Sequence, residues 1–472
     1  MKTRLDERYD PVPLDPREEE RLRQADRPVA PRSTSQQTQM PEPRQEYRPE
    51  PPVPDAPERP HALQIGVFFD GTGNNMANDR RLTDRDITNV VKLHDLYRYD
   101  SDDGDYHRVY IHGVGTTTGR ESEDGFTASE NLAGLGTGVG PEGGHARIEL
   151  ALQLLRQVLE DNPDATVTFD VFGFSRGAAL ARHFVNLIHR WPETLLVPDF
   201  RLIRPGYQPP FRRIPAFPDI PLSSRQVRFV GLFDTVGSFY WPGTARNLDF
   251  DLYMAPGSAQ RVVQLTAHHE IRRNFPLSSI ADAQGNHPGN FLEIALPGAH
   301  SDVGGGYENP EVDFANFEEV IVRRRAGLGA NGETIRRAQE DAEKRGLAIR
   351  VDGMDVIEIE RRAIRKELAI YALHEMYREA RKIHVPLDEL RDDADHVIPA
   401  ELQVIIDDWE EEGMRRKRQW MLDVSRERFA DYIHTSHRQE SLAHAPEPSG
   451  VRRVFPNRHG APVAPQQELQ GA

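Results

Sequence analysis

The sequence predicts an α/β fold: a mainly parallel sheet with helices on both faces, a helical insertion and a C-terminal cap. Three observations predict it. Short apolar runs alternate with amphipathic stretches from residue 61 to about residue 310, as a parallel sheet with crossover helices requires. Several of those runs stop on an Asp, Ser or His with a glycine close behind, at the edge where such sheets place their sites. Beyond Glu311 the alternation gives way to long, highly charged stretches.

Residues 1–60 mix prolines with charges ("DPVPLDPREEE") and offer almost nothing to bury, so disorder is expected there. "ALQIGVFFD" is the first strand, and a helical pattern follows near Ile87 to Tyr97. "HRVYIHGVGT" is a second strand ending in glycines, and "GLGTGVGPEGG" is a glycine-rich loop. Ile148, Ala151, Leu155 and Leu159 then recur at the spacing of an amphipathic helix, which "DNPD" stops. "ATVTFDVFGF" is a strand, and "SRGAALARHFVNLIHR" a helix with Leu180, Phe184 and Ile188 on one face. Residues 191–226, rich in proline and arginine without a clear period, are expected to be a surface insertion. "QVRFVGLFDTVGS" and "NFLEIALPGAHSDVGGGY" complete a core spanning 61–310. Residues 311–440 are expected to form a helical cap, with helices near 312–325, 333–346, 355–383 and 400–430. Residues 441–472 read as a loose tail.

Bulk composition narrows the function. The 59 basic residues face 75 acidic ones, a net charge of −16, and no long basic stripe overrides that field, so nucleic acid is excluded as the main partner. There is no cysteine, which removes a thiol nucleophile, disulfides and thiolate metal sites. The first thirty residues lack the apolar core of a secretory signal, and no stretch approaches the roughly 18 apolar residues that span a bilayer. The expectation is a protein made in the cytoplasm whose export, if any, is signal-peptide-independent.

The strongest local pattern is Gly173-Phe174-Ser175-Arg176-Gly177, G-x-S-x-G between a β-rich run and a helix. A nucleophile elbow needs that context: the chain turns sharply, and the helix N-terminus beneath favours developing negative charge. A serine then needs a base and an acid, which in elbow hydrolases follow in the order Ser, acid, His. Asp234 closes "RFVGLFD" and His300 closes "FLEIALPGAH", so Ser175, Asp234 and His300 are the expected triad. Asp302 is the rival acid or a loop-orienting residue. His268 and His269, in "LTAHHEIRRNF", are placed on a helix in a solvated or core role, and His434 lies far from the expected core.

"VFFDGTGNN" at residues 67–75 admits three readings. An aspartate-nucleophile phosphatase would need an aspartate at position 68, which is Phe, and a P-loop would need a following Gly-Lys-Ser/Thr. What remains is an oxyanion loop: backbone N–H groups of Gly71 and Thr72, joined by that of Arg176 after the nucleophile. Asp70 and Asn74 would hold the loop's shape by bonding to backbone. No cofactor is called for. "YDSDDGDYH" lacks the spacing and terminal Glu of a calcium loop and reads as a solvated turn, with a cation such as calcium left open there.

With "FFDGTGNN", "YIHGVGT", "GFSRGAALAR", "GLFDTVGS", "RRNFPLSSI" and "PGAHSDVGGGY" in this order, the chain resembles an α/β-hydrolase family that includes the first family of type VI secretion lipase effectors. The resemblance covers roughly residues 63 to 307. It implies a phospholipase A-type serine hydrolase acting on phospholipid esters at a membrane surface, with Ser175, Asp234 and His300 as its triad. It further implies an antibacterial toxin made in a bacterial cytoplasm, delivered to a target cell's periplasm by a spike or adaptor protein, and neutralised at home by an immunity protein. One departure is that many relatives carry Asp-Glu where this chain has His269-Glu270. The competing readings are a soluble-ester esterase with the same triad and a degenerate hydrolase fold serving as a binding module.

Overall fold

The computed structural model describes residues 61–81, 87–100, 105–116, 142–162, 164–190, 194–198, 211–215, 224–239, 250–307, 317–325, 332–352, 355–415, 425–437 and 444–459. The segment 1–60, most of the glycine-rich loop and the centre of the acidic turn lie outside them.

In chain order the first elements are β1 (Ala62–Phe69), α1 (Met76–Asp79), α2 (Asn89–Leu96), β2 (Tyr106–Ile111), α3 (Gly144–Glu160), β3 (Thr166–Phe174) and α4 (Arg176–His189). Then follow β4 (Thr194–Pro198), β5 (Phe211–Pro215), β6 (Ser224–Phe233), β7 (Arg261–Ala267), β8 (Leu277–Ser278), β9 (Phe291–Leu296) and α5 (His300–Gly304). The third group is β10 (Phe317–Arg325), α6 (Gly332–Lys344), β11 (Ala348–Asp352), β12 (Asp355–Ala363), α7 (Leu368–Lys382), α8 (Ala400–Arg415) and β13 (Val454–Phe455).

Six strands form one sheet in the order β2-β1-β3-β6-β7-β9, every neighbouring pair parallel. The chain steps outward from β1 to β2, returns to β3 on the other side of β1, and continues away. The direction therefore reverses between β1 and β3, and the crevice beyond their carboxyl ends is where open α/β sheets bind ligands. The register aligns those ends: Phe69 pairs with Gly173, Phe174 with Phe233, and Phe233 with Leu265.

Helices cover both faces. Ile148, Ala151, Leu155, Leu159, Leu180, Phe184 and Ile188 join one buried cluster with Phe69 and Val171, so the apolar stripes expected on α3 and α4 both face the sheet. Leu93, Leu373, Met376 and Leu402, from α2, α7 and α8, form a second cluster with Phe68 and Phe172. Consecutive Phe68 and Phe69 thus serve opposite faces, the period of a strand buried on both sides. Burying one such side chain contributes about 1.5–3 kcal/mol.

Several expected elements differ. "RVVQLTA", ahead of His268 and His269, is the interior strand β7, and residues 268–276 are turn and loop rather than helix. Residues 317–325 and 355–363, expected as helix, are strands of an antiparallel sheet ordered β10-β12-β11. Their many Glu and Arg residues suggest helix, but the interleaved Val and Ile pack better on a pleated surface; Val356, Ile357 and Ile359 are buried. In the insertion, β4 and β5 pair antiparallel, and residues 224–226 already belong to β6. The C-terminal segment is not loose over residues 444–459, since β13 pairs in parallel with β8.

Gly177 shows how tightly the elbow is built. A Cβ there would lie 2.3 Å from the Asp70 carbonyl oxygen and 2.4 Å from that of Phe69. Both obstacles are backbone, so Gly177→Ala should cost about 1–3 kcal/mol of stability. The expected readout is a lower urea midpoint at unchanged slope.

Candidate active site

Ser175 follows β3 with φ 58° and ψ −126°, a conformation disfavoured for any residue with a side chain. Its N–H donates to the Phe233 carbonyl at 3.0 Å, and its own carbonyl accepts from Val236 N–H at 3.2 Å. Those two bonds tie the elbow to the end of β6. Asp234 also has positive φ, 43°. The two strained, non-glycine residues therefore sit side by side at one sheet edge.

Asp234 is fully buried, and its Oδ2 lies 2.5 Å from His300 Nδ1. Its Oδ1 accepts the Ala267 N–H at 2.9 Å. Arg452 forks the same carboxylate, Nη1 to Oδ1 at 2.6 Å and Nη2 to Oδ2 at 2.9 Å. Burial raises the carboxyl pKa, but the Arg452 charge and His300 outweigh it and hold the group well below the usual range. An ionised carboxylate only accepts, so Nδ1 of His300 carries the proton and Nε2 is left as a base. Among the described residues Nε2 has no hydrogen-bond partner, the Ser175 hydroxyl included. Burial lowers the His300 pKa, with Asp234 opposing, so the ring is neutral at neutral pH.

The loop carrying His300 is braced on every side. The ring lies between Phe174 and Phe275, centroids at 4.6 and 5.0 Å. A Cβ on Gly304 would lie 2.0 Å from a Phe174 ring carbon, so only glycine lets α5 rest on that ring. The Asn89 side-chain amide donates to the Val303 carbonyl at 3.0 Å. Glu270 accepts the His300 N–H at 3.4 Å and is itself forked by Arg272. Burial would raise the Glu270 pKa, but Arg272 pulls it down to about 2.

Asp302, the rival acid, is bonded elsewhere. It accepts the Ala299 N–H at 2.8 Å and the His434 N–H at 3.0 Å, and its Oδ1 lies 2.6 Å from His434 Nδ1. It pins the start of α5 to residues 425–437, with Tyr307 stacked on His434 at 3.8 Å. At position 269 the histidine ring accepts the Gly298 N–H through Nδ1, at 2.9 Å. Asp234, and not position 269 or Asp302, faces the His300 Nδ1.

The first loop lies against the elbow, with one correction. Gly71 N–H, expected as an oxyanion donor, goes to Asp70 Oδ1 at 2.8 Å. Burial raises the Asp70 pKa to about 6 against the opposing bonds from Tyr110, Thr88 and Gly71. Asp70 thus holds the loop as expected, partly through side chains of α2's cap and β2. Asn74 acts through its backbone, accepting the Gly113 N–H at 2.8 Å, while neighbouring Asn75 caps α1. Thr72 Oγ1 accepts from Arg176 Nε at 2.7 Å, which joins loop to elbow. Arg176 opens α4 directly after the elbow serine.

Sequence reasoning missed Arg452, Glu270 and Arg272. The available signal for Arg452 was "VRRVF", a strand-like pentapeptide inside the supposed tail. Among the described residues no cluster of His, Asp and Glu could hold a metal ion, and no helix is long and apolar enough to cross a membrane.

The family model described as the type VI secretion phospholipase effector Tle1-like catalytic domain matches residues 64–192 and 216–321. Those bounds enclose Ser175, Asp234 and His300. A solved structure of the Tle1 effector bound to the VgrG spike from the type VI secretion system is 21% identical, with TM-score 0.54. The match covers 85% of this chain and 94% of that one. The crystal structure of an uncharacterized protein from Pseudomonas aeruginosa is 22% identical with TM-score 0.44, covering 77% of this chain and 52% of that one. No curated protein matches. With the parallel sheet, its helices and the matched motifs together, the chain belongs to the Tle1-like phospholipase effector family of type VI secretion.

Proposed function

We propose that this lipolytic effector is a serine hydrolase of the phospholipase A type, with Ser175 as nucleophile, His300 as general base and Asp234 as the acid that orients it. The observation that carries the reading is the buried Asp234–His300 pair, whose open Nε2 belongs to the same sheet edge as the strained Ser175. Ser175 Oγ attacks the ester carbonyl and gives its proton to Nε2, and the leaving alcohol takes that proton back. Water, activated by the same nitrogen, then releases the fatty acid from the acyl-enzyme. The oxyanion is met by the N–H groups of Thr72 and Arg176. Burial lowers the Arg176 guanidinium pKa to about 10, so it stays charged near the developing anion. The proposed steps call on no metal or cofactor.

The solved Tle1 effector is bound to the VgrG spike, and a spike protein of that kind is the proposed delivery partner of this chain. The target is the periplasm of a neighbouring cell, and an immunity protein protects the producer. The net charge of −16 disfavours attraction to anionic bilayers, so membrane contact is mainly apolar. Purified protein should therefore hydrolyse dispersed long-chain phospholipid with higher kcat/KM than a monomeric short-chain ester, and with little salt dependence. Product analysis should give free fatty acid and lysolipid. A clear preference for the monomeric ester would move the assignment to a soluble esterase.

A further inference from the structure

The residues expected to trail away from the fold instead reach its centre. Along 444–459 the backbone is stitched to the segment 271–281. Arg273 N–H donates to the Ala445 carbonyl at 2.8 Å, and Glu447 N–H to that of Ile271 at 2.7 Å. Leu277 N–H donates to the Arg453 carbonyl, and Ser279 N–H to that of Phe455, both at 2.9 Å. This strap delivers Arg452 to the site with every side-chain nitrogen engaged. Nε donates to the Phe275 carbonyl at 2.7 Å, Nη1 to Asp234 Oδ1 and the Ala267 carbonyl, and Nη2 to Asp234 Oδ2.

We propose that Arg452 is a positioning residue of this hydrolase, which holds Asp234 in place and balances the charge that His300 feels, so that the strap carries part of the catalytic apparatus. The inference rests on the serine-hydrolase reading above. A triad aspartate must accept from the imidazole N–H along a fixed line. Asp234 meets His300 through Oδ2 alone, and a planar guanidinium that takes both oxygens fixes the plane of the carboxylate as a single-point cation cannot.

The charge argument is separate. Among the described residues, the charged groups around His300 are Asp234, bonded to Nδ1, Glu270, bonded to its backbone N–H, Arg272, forking Glu270, and Arg452, forking Asp234. Asp302, next on α5, is paired with His434. Two carboxylates thus oppose two guanidiniums beside the base. Removing Arg452 leaves an uncompensated negative charge facing the ring, which favours imidazolium and removes the base at a higher pH.

The test is the pH profile of kcat/KM for Arg452→Gln and Arg452→Lys in the full chain, on whichever of the two substrates above wild type turns over faster. Arg452→Gln should lower the plateau on the order of 10- to 100-fold and move the acid limb up by about one pH unit. Arg452→Lys restores the charge without the fork, so its limb should return to the wild-type position while the plateau stays low. A folded Arg452→Gln enzyme with the wild-type limb would overturn the inference, because a merely structural role lowers stability without moving that limb. Should the Gln variant not fold, Arg452→Lys decides: a wild-type plateau overturns the proposal, and a lowered plateau on an unmoved limb supports it. Labelling by a serine-reactive fluorophosphonate separates the two layers. Wild type unlabelled at Ser175 would sink the triad reading, whereas labelling of Ser175 together with an unmoved limb in Arg452→Gln sinks only the role of Arg452.

Discussion

Ser175→Ala should reduce ester hydrolysis by roughly 10⁴-fold or more while thermal stability changes little. The loss is large because the acyl-enzyme path disappears, and the oxyanion donors and bound substrate alone sustain only residual turnover. Stability should hold because the bonds that fix the elbow, to Phe233 and from Val236, are made by the Ser175 backbone. The Asp234–His300 pair does not use the serine hydroxyl either. The measurement is fatty-acid release by wild type and variant at matched folded fractions, with the unfolding midpoint recorded for both. Turnover near wild type in a folded Ser175→Ala protein would end the serine-nucleophile proposal.

Asp234→Asn should be nearly as damaging to turnover, roughly 10⁴-fold, because an amide holds the imidazole in the wrong tautomer. Its effect on stability should differ from that of Ser175→Ala. A triad aspartate bonded only to its histidine could be exchanged at small cost, but here the carboxylate is fully buried and is also the counterion of Arg452, whose side chain is 8% exposed. Taking one partner from a buried ion pair costs about 3–5 kcal/mol. The sign with pH follows from the depressed carboxyl pKa. The stabilisation is fully present above the ordinary value of 3.8 and is lost as pH falls through the lower, folded-state value. Wild type and Asp234→Asn should therefore differ most in unfolding midpoint near neutrality and converge in strong acid. Equal midpoints at pH 7 would show that the Arg452 fork contributes nothing to stability.

Much of the site was legible because strand ends announce themselves. Ser175, Asp234 and His300 each follow an apolar run long enough to be a buried strand, and a parallel sheet carries such residues to one edge. The loop at Asp70 was legible for the same reason, although which N–H groups stay open depends on a rotamer. Asp70 turns its carboxylate onto Gly71, a choice made by Tyr110 and Thr88 from elements remote in sequence. Interior strand β7 was hidden because "RVVQLTA" runs directly into two histidines and a glutamate whose composition suggests a helix. In β12 the charges obscured the apolar pattern: Glu358 is buried there and paired with Arg345. Arg452 was missed for a different reason. A short segment gains its structure from pairing with β8, and nothing local in "VRRVF" names that partner.

The strap also gives this enzyme a timetable. Asp234 and the Arg452 that forks it are 218 positions apart in the chain. At a synthesis rate of roughly 5–20 residues per second, the ribosome needs roughly 10–45 s to reach the second after the first. Throughout that interval a nascent chain can present its elbow serine but not a clamped acid, and a chain released early never acquires one. On the role proposed for Arg452, the catalytic apparatus is complete only once residue 452 has been made. Fragments that stop short of residue 452, however well their amino-terminal sheet folds, should hydrolyse phospholipid more slowly than the chain that carries it.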